Sequence, residues 1–542
     1  MSGRQGYGAQ TRGRWLRPRL SVIRFVLIYA LATIGVFHWP LILRALPHVQ
    51  DVPLTEKVIS IGSFLLLSAF LTILLLTGLS FISKRVLKVV AAILVVINAA
   101  AFYFITLYGI VIDEIIVRNV FVVDTKTWGE LYHPLFLVYL LVLGVLPAFV
   151  ILRTEFIPTR RRARLLFAGL STALFAGFTL PTSYVWLWMD QHMPELGSLT
   201  LPWSYVINLS TYARAELRAN RPQELLPDAV LPPLEDGQRE VVILMVGEAA
   251  RAANFTAYGY DRETTPYTAD LPIAALPNAW SCGTYTFSGT ACIMGHLGVD
   301  VSINDPYETL PTYLSRHGVE TIWRSNSPRE PRVFVDHYEK EPEVRALCGG
   351  DCPSFAHEDW LVWGLGERIA ASDSQRIFIV LHQGDGSHGP SYFAQYPPTE
   401  ARFDPICETV RVQTCSYQEL LNAYDNTIVY TDRLMADLIG QLQALPDIRS
   451  TLIYVSDHGQ SLGEDGIYLH GMPNSIAPDV QREIPIFVWM NAAFQTARNV
   501  DEASVVQGEQ HGHENIFHSV MGAFGANSPV YRSELDIFAR QR

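Results

Sequence analysis

The chain has 542 residues, 49% of them apolar, and a formal charge of -12. That length exceeds what one hydrophobic core normally holds, so at least two domains are expected. The acidic balance and the absence of a nucleic-acid motif exclude nucleic acid as the expected partner, because phosphate backbones demand a basic surface.

In chain order, apolar stretches at 25–43, 58–82, 86–112, 134–152 and 165–188 each reach the ~20 residues that cross a bilayer core. They predict a transmembrane domain of five helices over 1–190. The first is read as a retained span, since its apolar run is too long for a signal peptide and no small-residue cleavage pattern precedes Trp39-Pro40. Arg4, Arg12, Arg14, Arg17, Arg19 and Arg24 precede it; Lys84, Arg85 and Lys88 follow the second; Arg153, Arg160, Arg161, Arg162 and Arg164 follow the fourth. Basic residues mark the cytoplasmic side, and an odd number of spans puts everything after residue 190 outside.

Residues 191–239 form a proline-rich connector, with an amphipathic piece from Tyr205 to Asn220 read either as a spacer or as a helix lying on the outer membrane face. From 240 to 542, short apolar strands alternate with helical stretches, which predicts an α/β domain with a largely parallel sheet. Val241 to Val246, Ile377 to Leu381 and Thr451 to Val455 read as buried strands. Each ends in polar residues, Gly247-Glu248, His382-Gln383 and Ser456-Asp457-His458, and such ends converge in sheets of this kind. All six cysteines lie in this half and read as three local disulfides in an oxidising compartment, with a structural zinc site as the alternative.

Ser456-Asp457-His458-Gly459 sets a carboxylate beside an imidazole, both zinc-type ligands. Glu248, His388 in Gly386-Ser387-His388-Gly389-Pro390, and His470 in Leu469-His470-Gly471 join it at other strand ends. Mixed oxygen and nitrogen donors favour zinc over magnesium, which seldom recruits histidine.

Five segments then resemble, with most of the chain, the bacterial phosphoethanolamine transferases that decorate lipid A and related glycans, including those conferring polymyxin resistance. They are Gly247 to Phe255, Ser281-Cys282-Gly283-Thr284-Tyr285-Thr286, Gly386 to Pro390, Asn422-Ala423-Tyr424-Asp425-Asn426-Thr427 and Ser456 to Glu464. The resemblance implies an alkaline-phosphatase-like (sulfatase-like) domain in the periplasm, carried by an inner-membrane helix bundle. It implies Thr286 as nucleophile, and Glu248, Asp457, His458 and the Thr286 oxygen as ligands of Zn2+. His388 and His470 fall at phosphate-contacting or second-metal positions, where either could protonate a leaving alkoxide. Asn119, in the outward loop after the third span, and Asn326 fall at substrate-binding positions. Phosphatidylethanolamine is the implied donor, lipid A or a related glycan the acceptor, and a monomer the expected state. Disulfides Cys282–Cys292 and Cys407–Cys415 fit the family, while Cys348 and Cys352 stand closer than its corresponding bridge.

The chain departs from the family at several places. Val123 and Thr127 stand where Thr and Glu are expected, with Glu130 nearby; Ser327 to Arg332 lacks the family's lysine, leaving Arg329 or Arg332; and Gln460 replaces an acidic residue. A sulfatase would need a Cys or Ser in a Cys-x-Pro-x-Arg-like context, which the Cys282 to Thr286 segment lacks. A glycerol-phosphate transferase, a phosphatase and an inactive scaffold on the same fold are the other readings. The paired cysteines weigh against the first of these, and the intact ligand set against the last.

Overall fold

The computed structural model describes residues 17–539 apart from 51–52, 123–132, 183–184, 186–187, 190–191, 220–222, 302–304, 328–329, 349–352, 354, 356 and 509. The chain divides into two compact units, Met1–Arg118 with Tyr132–Tyr212, and Asn119–Leu131 with Ala213–Arg542.

In the first unit, α1 (Val22–Phe37) and α2 (Trp39–Ala45) form one apolar run bent by 52°. Pro40 in the first turn of α2 explains the bend: it offers no N–H to the preceding turn, and its ring blocks a continuous helix. His38 fills the break, its Nδ1 3.2 Å from the Thr33 carbonyl and its Nε2 3.2 Å from Ser68 Oγ. Then come α3 (Leu54–Ile82), α4 (Lys84–Tyr108), α5 (Glu114–Val122), α6 (Pro134–Arg153) and α7 (Arg161–Thr179). Among the described residues, α3, α4 and α6 are each long and apolar enough to cross a bilayer, and the bent pair makes a fourth. The fifth expected stretch falls on α7, which does not reach that standard. Arg161, Arg162 and Arg164 occupy its first turn, small and hydroxyl residues dilute the remainder, and it stops at Thr179.

Contacts within the unit sort its loops to two ends. One end gathers Arg19–Ser21, paired in parallel with Glu155–Ile157; Lys88, whose Nζ donates to the Leu152 carbonyl at 2.8 Å; and Arg164, whose guanidinium donates to the Ser80 carbonyl and hydroxyl. At the other, Arg44 donates to the Gly109 carbonyl at 3.2 Å, and His48 Nε2 meets Glu195 Oε2 at 2.9 Å. The chain thus changes ends from group to group and arrives at Glu195 opposite its start, which agrees with the basic-loop asymmetry.

Helix α8 (Trp203–Ala219) realises the amphipathic piece of the connector. Its first turns are no free spacer: Trp203 Nε1 donates to the Ser68 carbonyl and Thr72 Oγ1, and the buried Tyr205 hydroxyl donates to Asn98 Oδ1 at 2.9 Å. This docking is why the unit boundary falls at Tyr212 and Ala213, inside the expected connector. Asn119 sits on α5, with its side chain, like Val123, Thr127 and Glu130, outside the described residues.

The second unit is built on β1 (Glu240–Gly247), β2 (Ile273–Ala275), β3 (Glu320–Ser325), β4 (His337–Glu339), β5 (Arg376–His382), β6 (Arg449–Ser456) and β7 (Ile486–Met490). They form one seven-stranded sheet in the order β2-β7-β6-β1-β5-β3-β4. β6, β1, β5, β3 and β4 run parallel, and β7 and β2 close the edge antiparallel. Alternate residues of β1 feed separate cores on the two faces: Val242, Leu244 and Val246 on one, Val241, Ile243 and Met245 on the other. This double burial is why the strands read as unbroken apolar runs. The three strands expected from the sequence are β1, β5 and β6, which stand side by side at the centre.

Candidate active site

Register alone begins the site. Gly247 pairs with Ser456 across β1 and β6, and Val246 with His382 across β1 and β5, so three chain turns leave the sheet together. The Asp457 N–H donates to the Gly247 carbonyl at 2.9 Å, and Asp457 Oδ1 accepts from the N–H groups of Ala249 and His458 at 2.9 and 2.8 Å. That fixes one carboxylate oxygen and aims the other, Oδ2, which accepts no hydrogen bond. His458 Nδ1 donates to the Gly459 carbonyl at 2.8 Å, which turns Nε2 inward, 3.3 Å from Glu248 Oε1 and 3.5 Å from Asp457 Oδ2. Glu248, Asp457 and His458 are fully buried, and one donor atom of each lies within 4.8 Å of the others.

Two buried carboxylates and one imidazole in contact are an unstable arrangement without a cation to share. Burial, then the Glu248 carboxylate, pushes the Asp457 carboxyl up to about 7. Burial presses His458 down, but the Asp457 and Glu248 carboxylates outweigh it and leave the imidazole raised to about 9. Such a donor set, with aimed oxygens and an oriented ring nitrogen, fits a divalent metal.

Thr286 opens helix α9 (Thr286–Met294), and its buried hydroxyl donates to Glu248 Oε2 at 3.1 Å. The positive end of the helix dipole therefore lies at the hydroxyl, where it favours an anion. α9 comes this close because of Gly289, at which a Cβ would collide with the Asp457 carbonyl oxygen. The Thr284 carbonyl accepts from the Gly471 N–H at 2.9 Å, tying the turn before Thr286 to the His470 segment.

His388 and His470 join the same cluster. Their ring centres are 4.9 Å apart, and His470 lies 4.3 Å from the His458 ring. The Ser387 N–H donates to the Glu248 carbonyl at 2.9 Å, and a Cβ at Gly386, where φ is +41°, would crowd Glu248. Gln460, a departure from the expected acid, links two neighbours: its Oε1 accepts from His470 Nδ1 and its amide donates to the Tyr392 hydroxyl, both at 2.7 Å. The Asn326 amide donates to Glu358 Oε1 at 3.4 Å. Arg329 lies outside the described residues.

Two residues that hold turns around the cluster have no signal in the sequence. Glu358 gathers the turn that follows β5. His513 is buried and held neutral, its imidazole lowered to about 4 by burial; Nδ1 accepts from the Cys282 N–H at 3.4 Å, leaving Nε2 to donate to the Ser456 carbonyl at 2.9 Å. The Asn422-to-Thr427 motif lies on α10 (Tyr417–Gln443) and works as a brace. The Tyr424 hydroxyl bridges the Ala249 carbonyl and the Arg251 N–H, and Thr427 Oγ1 donates to Ser387 Oγ at 2.7 Å.

Cys282–Cys292 and Cys407–Cys415 are disulfides; Cys348 is also bonded, while Cys352 lies outside the described residues. The first joins the turn before Thr286 to α9. Removing it as Cys282→Ser with Cys292→Ser is expected to destabilise the soluble unit by about 2 to 3 kcal/mol and to slow turnover more than loss of Cys407–Cys415 does. Thermal unfolding with and without reductant, alongside transfer rates, measures both. Full thiol labelling of all cysteines in protein taken from the exported compartment would contradict it.

A family model described as phosphoethanolamine transferase EptA/EptB matches residues 66–217, and a sulfatase model matches 240–526. The chain is 33% identical over 98% of both lengths to phosphoethanolamine transferase EptA of Helicobacter pylori. It is 31% identical to phosphatidylethanolamine transferase Mcr-1 of Escherichia coli, covering 88% of this chain and 91% of that one. Among solved structures, the integral membrane lipooligosaccharide phosphoethanolamine transferase A of Neisseria meningitidis superposes with a TM-score of 0.86 at 26% identity, over 97% of this chain and 100% of that one.

Proposed function

The chain belongs to the phosphoethanolamine transferase family, and we propose that it moves phosphoethanolamine from phosphatidylethanolamine to lipid A, or a related glycan, through an ester on Thr286. It is a multi-pass inner-membrane protein with its α/β unit in the periplasm. The donor reading follows the phosphatidylethanolamine in the Mcr-1 name, and the acceptor reading the lipooligosaccharide in that of the Neisseria protein. The observation that carries the mechanism is the Thr286 hydroxyl on Glu248 Oε2 at 3.1 Å, beside Asp457 and His458.

Zinc suits the cluster. Its donors are two buried carboxylates and an oriented imidazole nitrogen whose atoms lie within 4.8 Å of one another, the mixed oxygen and nitrogen set that zinc takes. Glu248, Asp457, His458 and Thr286 would hold the ion, which when bound lowers the pKa of the threonine hydroxyl and offsets phosphoryl charge.

Thr286 Oγ attacks the phosphorus of the donor while its proton passes to Glu248 Oε2. The bond from phosphorus to the diacylglycerol oxygen breaks, and His388 or His470 protonates that oxygen. In the second half, an acceptor hydroxyl attacks the same phosphorus and gives its proton to the histidine that lost one in the first half; where an acceptor phosphate oxygen carries none, that histidine regains its proton from solvent. The bond to Thr286 Oγ breaks, and the proton held on Glu248 returns to the threonine. His470 is oriented by its Nδ1, which donates to Gln460 Oε1. Asn119 on α5 remains the head-group contact in this reading. A monomer is the working state in this reading.

Incubating the full-length protein with phosphatidylethanolamine alone should add the mass of one phosphoethanolamine, which peptide mapping places on Thr286. Adding lipid A should discharge it and give phosphoethanolamine-modified lipid A. An adduct on another residue, or rapid transfer with no adduct at any time, would sink the relay.

A further inference from the structure

Glu358 is wholly buried, just after the segment carrying Cys348. Its Oε1 accepts from the backbone N–H groups of Gly384 and Asp385 at 2.8 and 3.0 Å and from Asn326 Nδ2 at 3.4 Å. Its Oε2 accepts from Gln383 Nε2 at 2.9 Å and from the Gly386 N–H at 3.2 Å. The residue is itself anchored, since its own N–H donates to the Tyr430 hydroxyl of α10 at 2.9 Å. One carboxylate therefore satisfies an entire turn, Gln383 to Gly386, and ties it to Asn326 at the end of β3.

That turn delivers His388. The His388 N–H donates to the Asp385 carbonyl at 2.8 Å, and the preceding Ser387 N–H to the Glu248 carbonyl at 2.9 Å. Two of the four turn residues are glycines, so side-chain packing cannot hold it, and charge-assisted hydrogen bonds to a buried acceptor are the restraint available. A displacement of the turn moves the His388 ring against His470, 4.9 Å away.

We propose that Glu358 is a positioning residue for transfer: its carboxylate fixes the Gln383 to Gly386 turn and thereby the placement of His388. This rests on the reading of His388 as a group that handles a proton in the reaction. It gives the five donors a common purpose that stability alone does not require.

In full-length protein with phosphatidylethanolamine vesicles and lipid A, Glu358→Gln should lower kcat about 10- to 100-fold, the range for residues that orient an active group, with KM for the donor unchanged. Amide hydrogen exchange at Gly384, Asp385 and Gly386 should accelerate in the same variant. Because Glu358 acts through His388, adding Glu358→Gln to His388→Ala should cost less than about a further twofold. An unchanged kcat in Glu358→Gln, or an equal loss in the His388→Ala background, overturns the proposal. Wild-type transfer by His388→Ala would instead remove the reading of His388, and this inference with it, a result distinguishable from the other two. Should Glu358→Gln fail to fold, Glu358→Asp, which keeps the charge but withdraws it by one methylene, goes through the same cycle with the same criteria.

Discussion

Thr286→Ala should reduce transfer by about a thousandfold or more, because it deletes the atom that carries the phosphoryl group between two substrates that need never meet. The fold should survive. The threonine is buried, but its hydroxyl makes one hydrogen bond, to Glu248, and losing such a bond costs about 1 kcal/mol, a shift of a few degrees in Tm at most. Metal content should fall little, since Glu248, Asp457 and His458 remain. Thr286→Ser keeps the nucleophilic oxygen but frees its rotamer, since the methyl that restrains χ1 is gone; about a tenth of the activity is expected. Initial rates of lipid A modification and intact-protein mass after incubation with donor settle the matter. Full-rate transfer by Thr286→Ala would show that the phosphoryl group never rests there.

The second large effect belongs to Asp457. Asp457→Asn preserves the shape of the side chain and the oxygen that accepts from the Ala249 and His458 N–H groups at 2.9 and 2.8 Å, but replaces the inward oxygen with an uncharged group. Residues that merely orient metal ligands are worth 10- to 100-fold in affinity, so removal of a ligand charge should weaken zinc binding by more than about 100-fold. Activity should fall with the bound metal. Elemental analysis of purified protein, with zinc titration into chelator-treated samples, reads the first effect, and transfer rates at saturating zinc the second. An Asp457→Asn protein that retains stoichiometric zinc after chelation would remove this residue from the ligand set.

Much of this centre is legible in the residues alone, for a definite reason. Parallel strands buried on both faces are conspicuous in sequence, and their carboxyl ends must converge, so Glu248, Asp457 and His458 can be grouped from the residues following β1 and β6. Thr286 is different: it stands in a turn rich in serine and threonine, and only its likeness to the transferase motif singles it out. Glu358 is invisible, since it precedes a buried Trp-Leu-Val run, and three of its five donors are the backbone N–H groups of Gly384, Asp385 and Gly386, 26 to 28 positions away. Gln460 reads as a missing charge, yet its use is a hydrogen bond to His470 that no sequence pattern encodes. In the membrane unit, apolar length locates α3, α4 and α6 well. In the run at 165–188, the described helix α7 covers Arg161–Thr179 and is less apolar than the other spans.

The sheet order has a consequence for biogenesis. β1 is flanked by strands drawn from much later in the chain, and Ala249 is hydrogen-bonded to Asp457 across 208 positions. Long-range pairings of this kind form late, so an emerging polypeptide carries Glu248 and Thr286 for most of its translocation with no second carboxylate or imidazole beside them. A cation held by Glu248, Asp457 and His458 would then be captured only after the chain past residue 458 has been exported, from whatever pool the envelope supplies. In the proposed zinc reading, supply of the ion outside the cytoplasm, rather than within it, limits how much of the newly made protein becomes competent.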